Sequence, residues 1–456
     1  MSLDPAAIFH NLDLKGRHRV VVALSGGSDS VALLLLIREF LKQSGSIVRL
    51  HAVTVDHALR PESAREAEAV AARCRALAVD HRTLRWEGPK PSAGVIAAAR
   101  DARYDLLARA ADDIGADIVL TGHTLDDQAE TVAMRAGRGS GAGMAGMAFA
   151  TLFDGRIWLV RPLLGMRRQA LRDYLNARGE GWIDDPSNLN HAFERVRVRA
   201  GLSDPEIEKL AVDAAGAGRE RQELSAAAAS LIGHFGSMPA PGLFRLDPEF
   251  LRGAYPGDGN RGDSEAAAHA MRALLATAGG TPYLPDRERT VALVGRLAAG
   301  EPLRATLSRA AVEAGSNGIW IRREARNLPT PSQAGRAQLW DGRWRIAAEG
   351  EAAGLAVGPL GAERASDFAA PVVGIPQRLV RAALAVEPAV YNGEEFVGIA
   401  GRPETLARGV SAVAVACPFA RFLPGFDLAL AAAVRRLICA GDLPASPWKH
   451  HIAPGP

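Results

Sequence analysis

Cysteine is scarce, with three in 456 residues. Cys74, Cys417 and Cys439 form no C-x-x-C pair and have no histidine at ligand spacing, so the sequence indicates neither a zinc site nor a disulfide framework. Long apolar runs are missing too, and none approaches the roughly 20 residues that span a bilayer. The first residues, MSLDPAAIFHNLDLKGRH, carry acids and no extended apolar core, unlike a secretory signal. The expectation is a cytoplasmic enzyme with no membrane partner. Neither sign of charge dominates: 54 basic and 51 acidic residues leave a net +3, which permits a nucleic-acid partner without requiring one. At 48% hydrophobic and 23% charged the composition is that of a soluble globular protein, and the length is too great for one core.

Against those absences stands one hexapeptide. Ser25, Gly26, Gly27, Ser28, Asp29 and Ser30 separate an apolar run at 20–24 from a second at 31–37 that continues to 41. The first run alternates too little for a half-exposed strand and has the length of a buried one, while the second has helical length. The hexapeptide is therefore a strand-to-helix turn. Its glycines admit close backbone approach, and the helix start offers unpaired N–H groups to an anion. No lysine follows them, which excludes the G-x-x-x-x-G-K-S/T phosphate loop, and the Rossmann spacing G-x-G-x-x-G is absent. What remains resembles the pyrophosphate loop (PP-loop) of enzymes that cleave ATP between its α and β phosphates. An ordinary Ser/Gly turn is the plainer alternative, and the downstream stretches weigh against it.

A second strand at 49–55 ends in Asp56 and His57, which an open α/β sheet would aim into the same crevice as the hexapeptide. Helices at 62–77 and 95–109 and a strand near 81–86 continue the βαβ rhythm. The second helix carries Arg100, Arg103 and Tyr104, for which a solvated arginine face is the plain reading. A strand at 116–121 then leads into His123, Asp126, Asp127 and Glu130 at the start of the next helix. Helical spacing puts these acids over one or two turns. Helix-dipole stabilisation accounts for Asp126 and Asp127, but poorly for Glu130 and not for His123.

The stretch 135–146 is too glycine-rich for helix or strand and reads as a mobile closing loop bearing Arg135 and Arg138. A hairpin with Asp154 and Gly155 at its turn follows, then a helix at 167–178 and a turn at 185–188. The alternating Arg195, Arg197 and Arg199 are read as a basic edge for a phosphate backbone, or else as an unremarkable solvated helix.

Taken in order, SGGSDS, TVDHALR, ARDARY, TGHTLDDQAET, RGSGAGMAGM, RPLL and DDPSN resemble the bacterial tRNA(Ile)-lysidine synthetase family over residues 20–200. One departure is Arg195-Val196-Arg197-Val198-Arg199 where that family has Arg-Asn-x-Ile-Arg. The resemblance implies a two-step reaction. ATP adenylates the carbonyl oxygen of the wobble cytidine in the CAU anticodon of a minor isoleucine tRNA, and free L-lysine then displaces AMP.

On this reading Ser25, Gly26, Gly27, Ser28, Asp29, Ser30, Asp56, His57 and His123 contact ATP, with Mg2+ as counter-ion. Asp29 either reaches that metal or caps its helix. Asp126, Asp127 and Glu130 hold the lysine ammonium, whose ordinary pKa near 10.4 requires a proton acceptor before attack. Arg103, Arg135, Arg138, Arg195, Arg197 and Arg199 are the candidate tRNA contacts.

The expected fold class is α/β. A parallel-sheet PP-loop catalytic domain spans 1–203, followed by a helical middle domain at 204–328 that begins with one long helix to residue 235. A small mixed α/β tRNA-binding domain spans 329–456 and contains a hairpin that turns at Asp341-Gly342, where Trp340 and Trp344 are expected as cross-strand core partners. The oligomeric state is open, a homodimer included. The rival readings are a PP-loop tRNA thiolase, for which the cysteines are poorly placed; a small-molecule synthetase, which would not need the basic glycine loop; and a non-enzymatic tRNA-binding protein.

Overall fold

Val20, Val21 and Val22 are wholly buried, as are Ile118, Val119 and Leu120. Residues buried on both faces belong in the middle of a parallel sheet. In the computed structural model, which describes residues 3–450 apart from 138, 140–141, 185–189, 255–260, 301, 316 and 336–337, that is where both runs lie. The elements that build this part of the chain are α1 (Pro5–Phe9), β1 (Arg19–Ala23), α2 (Ser28–Gln43), β2 (Arg49–Asp56), α3 (Ser63–Ala76), β3 (Asp80–Arg85) and α4 (Val95–Ile114). They continue with β4 (Ile118–Leu120), α5 (Leu125–Ala136), β5 (Ala150–Phe153), β6 (Ile157–Val160), α6 (Arg168–Asn176), α7 (Glu194–Gly201) and α8 (Asp204–Phe235).

The six strands order as β5-β6-β4-β1-β2-β3. All neighbours run parallel except the β5–β6 hairpin, which turns through Asp154 and Gly155 at φ +50° and +71°, as a type I′ turn requires. The chain leaves β1 for β2 on one side and returns to β4 on the other. The carboxyl ends of β1 and β4, paired at Val21–Val119 and Val22–Leu120, therefore flank the point where strand order reverses. In open α/β sheets that crevice takes the ligand.

The chain divides into two compact units, one of Met1–Arg221 with Pro424–Phe426 and Pro444–Pro456, the other of Gln222–Leu423 with Asp427–Leu443. The long helix expected at 204–235 is present as α8, and the unit boundary falls within it. The second unit holds the helices Arg261–Gly279 and Arg287–Ala298. It also carries a five-stranded sheet in the order β7 (Gly236–Ala240), β8 (Leu243–Leu246), β11 (Gly318–Arg323), β10 (Ala310–Gly315), β9 (Leu303–Leu307). These strands correct the expectation of a wholly helical domain at 204–328; each is only four to six residues long, too short for its periodicity to stand out from the helices around it.

Further on, β12 (Gln338–Trp340) and β13 (Trp344–Ala348) form the expected hairpin, with Trp340 opposite Trp344 in an apolar cluster and the turn at Asp341 and Gly342, φ +50° and +71°. Asp341 is wholly buried. It accepts two hydrogen bonds from Arg323, at 3.0 and 3.1 Å, and one from Arg343 at 2.9 Å, and it also pairs with Arg309. Among the described residues no helix is long and apolar enough to cross a membrane.

Removing one partner of a buried ion pair strands the other charge, which costs about 3–5 kcal/mol. Asp341→Ala is therefore expected to unfold the second unit at lower temperature than the wild type. A differential scan that shows no early transition would contradict this.

Candidate active site

Gly26 sits at φ +86°, in the left-handed region, and a Cβ there would lie 2.8 Å from Val70 and 2.9 Å from Ile183. Both facts require glycine at this bend. The Gly26 carbonyl accepts from the Ile183 N–H at 2.9 Å, which fixes the turn from outside. Within it, Ser30 Oγ donates to the Gly27 carbonyl at 3.0 Å and lies 3.2 Å from both the Ser25 N–H and the Ser25 hydroxyl, while Ser28 Oγ donates to Asp29 Oδ1 at 2.9 Å. Helix α2 begins at Ser28 behind Gly27, which supplies no side-chain cap. The first turn of α2 thus keeps N–H donors for an anion.

The turn after β4 packs directly against this loop. A Cβ on Gly122 would stand 2.9 Å from the carbonyl carbon and oxygen of Asp29. The approach brings the start of α5 next to the start of α2, and with it the acids read from the sequence.

Each acid has a distinct environment. Asp127 closes a capping box: its Oδ2 accepts from the Thr124 N–H at 2.8 Å and the Thr124 hydroxyl at 2.9 Å. Its other oxygen, Oδ1, accepts from Arg168 at 2.9 Å and Arg195 at 3.1 Å. Helix capping and site chemistry therefore take one oxygen each. Glu130, with a side chain 2% exposed, accepts from Arg195 and Arg199, both at 2.6 Å, and from Arg168 at 3.4 Å. Asp126 points elsewhere. Its Oδ2 accepts the backbone N–H of Arg168 at 2.7 Å, satisfying an open donor at the start of α6, with Arg167 3.4 Å away.

The residue common to all four acids is Arg168, which the sequence reading does not single out. Its Nε donates to Asp29 Oδ2 at 3.1 Å, its two Nη atoms reach Asp127 and Glu130, and its backbone holds Asp126. Arg167-Arg168 opens an apparently ordinary amphipathic helix, so only the adjacency of β1 and β4 reveals it.

Burial pushes the Asp127 carboxyl up, but the guanidiniums of Arg168 and Arg195 outweigh it and hold the group down at about 2. Burial pushes Asp29 up against the pull of Arg168, and Asp127 adds to the rise. The Arg168 guanidinium is raised, its three carboxylates overcoming burial. His123, whose Nδ1 lies 2.9 Å from the Thr121 hydroxyl, is driven well below its ordinary value by burial and by Arg161, so its ring is neutral. His57 is lowered by burial and by Arg103. Asp56 is buried and accepts the Ala58 N–H at 2.8 Å, building the turn after β2. Arg103 and Arg100 both lie 5.2 Å from the Tyr104 ring. Burial pushes the Tyr104 hydroxyl up, but these two arginines and the buried Arg161 bring it down to about 7.

The arginines expected to contact RNA are divided by the structure. Residues 195–199 lie in helix α7, so Arg195 and Arg199, four apart, share the face that meets Glu130, whereas Arg197 faces away and donates to the carbonyls of His191 and Ala192 at 2.8 and 2.9 Å. They do not form one basic edge. The stretch after α5 also differs from the expected open loop. Arg135 stands in the last turn of α5 and ties the 3-10 turn Ala142–Ala145 by donating to Gly143 and Gly146 at 3.1 and 2.9 Å. Arg138 and the turn at 185–188 lie outside the described residues.

Two outcomes are expected. Gly122→Ala forces the two loops apart at an overpacking cost of about 1–3 kcal/mol, read as a lowered Tm; an alanine variant as stable as the wild type would contradict the close approach. For Asp127, a carboxyl lowered from 3.8 to about 2 contributes fully above the unfolded value and loses its contribution as pH falls through the folded one. The stability gap between wild type and Asp127→Asn, from denaturant titrations, should be constant above about pH 4 and close towards pH 2.

Residues 4–206 match the model of the PP-loop domain family. A tRNA(Ile)-lysidine synthase from Mesorhizobium japonicum is 48% identical, the match covering 98% of this chain and 97% of the relative. Proteins of the same name from Rhizobium meliloti and Brucella anthropi are 39% and 38% identical, over 94% and 96% of this chain and 93% and 98% of theirs. Among solved structures, a U34-tRNA thiolase from Methanococcus maripaludis aligns with 47% of this chain and 77% of its own, at 18% identity and a TM-score of 0.41. With a parallel sheet, a glycine-bent loop at its switch point, and near-full-length relatives that share one name, the chain belongs to the tRNA(Ile)-lysidine synthase family.

Proposed function

We propose that this protein ligates free L-lysine to the wobble cytidine of the CAU anticodon of a minor isoleucine tRNA, through an adenylated cytidine, releasing pyrophosphate and AMP. The observation that carries the reading is the juxtaposition of the uncapped start of α2 with a cluster of carboxylates, Asp29, Asp127 and Glu130, at the sheet's switch point. One side suits a polyphosphate and the other an amine.

In the first step the cytidine carbonyl oxygen attacks the α phosphorus of ATP and pyrophosphate leaves. The N–H groups of Ser28, Asp29 and Ser30, left open at the start of α2, are the donors placed for the negative charge that develops there. Asp56 and His57 at the end of β2, and His123 after β4, border the same crevice. Because His123 is neutral it can offer one nitrogen as acceptor and the other as donor. Mg2+, when bound, neutralises charge on the departing pyrophosphate. Asp29 is the residue that would hold it: a hard carboxylate oxygen beside the phosphate loop suits an ion that takes one or two carboxylates and completes its shell with phosphate and water.

In the second step the lysine amine attacks the activated carbon of the base and AMP leaves. Asp127 and Glu130 hold the ammonium, and one of them takes its proton; Asp126, turned towards α6, supports their placement instead. Arg103, Arg138 and Arg197 are the proposed RNA contacts, since Arg195, Arg199 and Arg135 serve the site's own acids and loop. Residues 1–203 carry the chemistry, 204–328 connect, and 329–456 grip the body of the tRNA. The setting is the cytoplasm, where tRNA, ATP and lysine meet.

The test is to incubate the protein with ATP, labelled lysine and a transcript of the minor isoleucine tRNA, then digest to nucleosides. Label in a modified cytidine is expected, and its absence while the tRNA is intact refutes the reading. Asp127→Asn should slow lysine transfer by about 10²–10⁴-fold, as for loss of a proton acceptor, and slow tRNA-dependent pyrophosphate exchange far less. Equal effects on both steps would remove Asp127 from the second.

A further inference from the structure

Arg168 stands where the amine has to go. Among the described residues it is the side chain that bridges the loop after β1 to the acids of α5, since Arg195 and Arg199 approach Glu130 from α7 and have no ion pair with Asp29. Its three nitrogens each reach a different carboxylate, Asp29 at 3.1 Å, Asp127 at 2.9 Å and Glu130 at 3.4 Å. An alkylammonium likewise has three N–H donors.

The charges give a second constraint. Asp29, Asp127 and Glu130 are matched by Arg168, Arg195 and Arg199, three against three, in a place where the Arg168 side chain is 14% exposed and Glu130 2%. Arg195 and Arg199 are about a third exposed, but the acids are largely buried, and adding a substrate cation among them leaves one charge without a counter-ion, which is unfavourable where water is scarce. Exchanging one cation for another keeps the balance.

We propose that the Arg168 guanidinium is the resting occupant of the substrate-amine seat, and that the lysine side chain binds by displacing it. This rests on the function proposed above and names the residue that guards it. Arg168 acts as a positioning residue. It keeps three like charges together until the amine arrives, and its backbone N–H holds Asp126 whether or not the side chain is in place. An arginine that must be expelled also sets selectivity, because a ligand without a cation of its own would leave the carboxylates unpaired.

The test compares wild type with Arg168→Met. A self-occupied seat lowers apparent affinity by the fraction of time it is filled, so the lysine KM of the variant is expected to fall by about tenfold or more. Methylguanidinium, without effect on the wild type, should then compete with lysine in the variant. A lysine KM that is unchanged or raised, or turnover restored by methylguanidinium, overturns the proposal, because Arg168 would then be a fixed part of the site.

For the case in which the variant does not fold, the wild-type protein provides its own readout. The Arg168 Nε–Hε resonance, assigned with Arg168→Lys, should shift on adding lysine in the presence of tRNA and a non-hydrolysable ATP analogue. The shift is read with Mg2+ already present, because Asp29 is its proposed holder; no shift on adding lysine, or the same shift with norleucine, which lacks the side-chain amine, overturns the proposal. Wild-type pyrophosphate exchange separates the two levels. If it is absent the functional reading fails, and if it is present with the lysine KM unmoved in Arg168→Met only the seat fails.

Discussion

The close packing of two turns at the ends of β1 and β4 is the constraint on which the site depends. Gly122 lies against the backbone of Asp29 so tightly that even a methyl group has no room. That contact exists because β1 and β4 are hydrogen-bonded neighbours, although Ala23 and Ile118 are 95 positions apart in the chain. Everything chemical then follows from short reach. Side chains at the start of α2 and the start of α5 converge on a common centre, and one guanidinium at the start of α6 ties them together.

Much of this was legible in the sequence, for identifiable reasons. The valines of β1 and the apolar run of α2 announce a buried strand and its following helix, and Asp-Gly marks both hairpins because few other pairs tolerate two successive positive φ angles. The acids of α5 were visible by helical spacing. Their division of labour was not, since a periodic pattern cannot tell which oxygen of Asp127 closes a capping box and which meets Arg168. Arg168 itself was invisible because its partners lie 38 to 139 positions away in sequence. Arg195, Arg197 and Arg199 admit two readings in the sequence, a basic edge or a solvated helix, and the helix that forms separates the middle residue from the outer two.

The second unit shows the same strategy in a setting without evident chemistry. Asp341, at a hairpin turn, gathers Arg309, Arg323 and Arg343, and Arg343 goes on to Glu387. Glycines make room for it: a Cβ on Gly280 would fall 1.9 Å from the Asp341 carbonyl, and one on Gly342 would fall 2.1 Å from that of Gly280. Buried charges of this kind add little net stability over apolar packing, but they penalise any alternative arrangement that would separate them.

The pairing of acids with arginines also has an electrostatic result at longer range. A crevice floored by Asp29, Asp126, Asp127 and Glu130 would repel both a nucleotide tail and an RNA backbone if those charges were bare. Each has a guanidinium partner in Arg167, Arg168, Arg195 or Arg199, while Arg100 and Arg103 of α4 add positive charge that is felt at His123. On the function proposed above, a polyanion would then meet arginines beyond an acidic floor whose charges are already paired, so that two opposite polarities can share one opening.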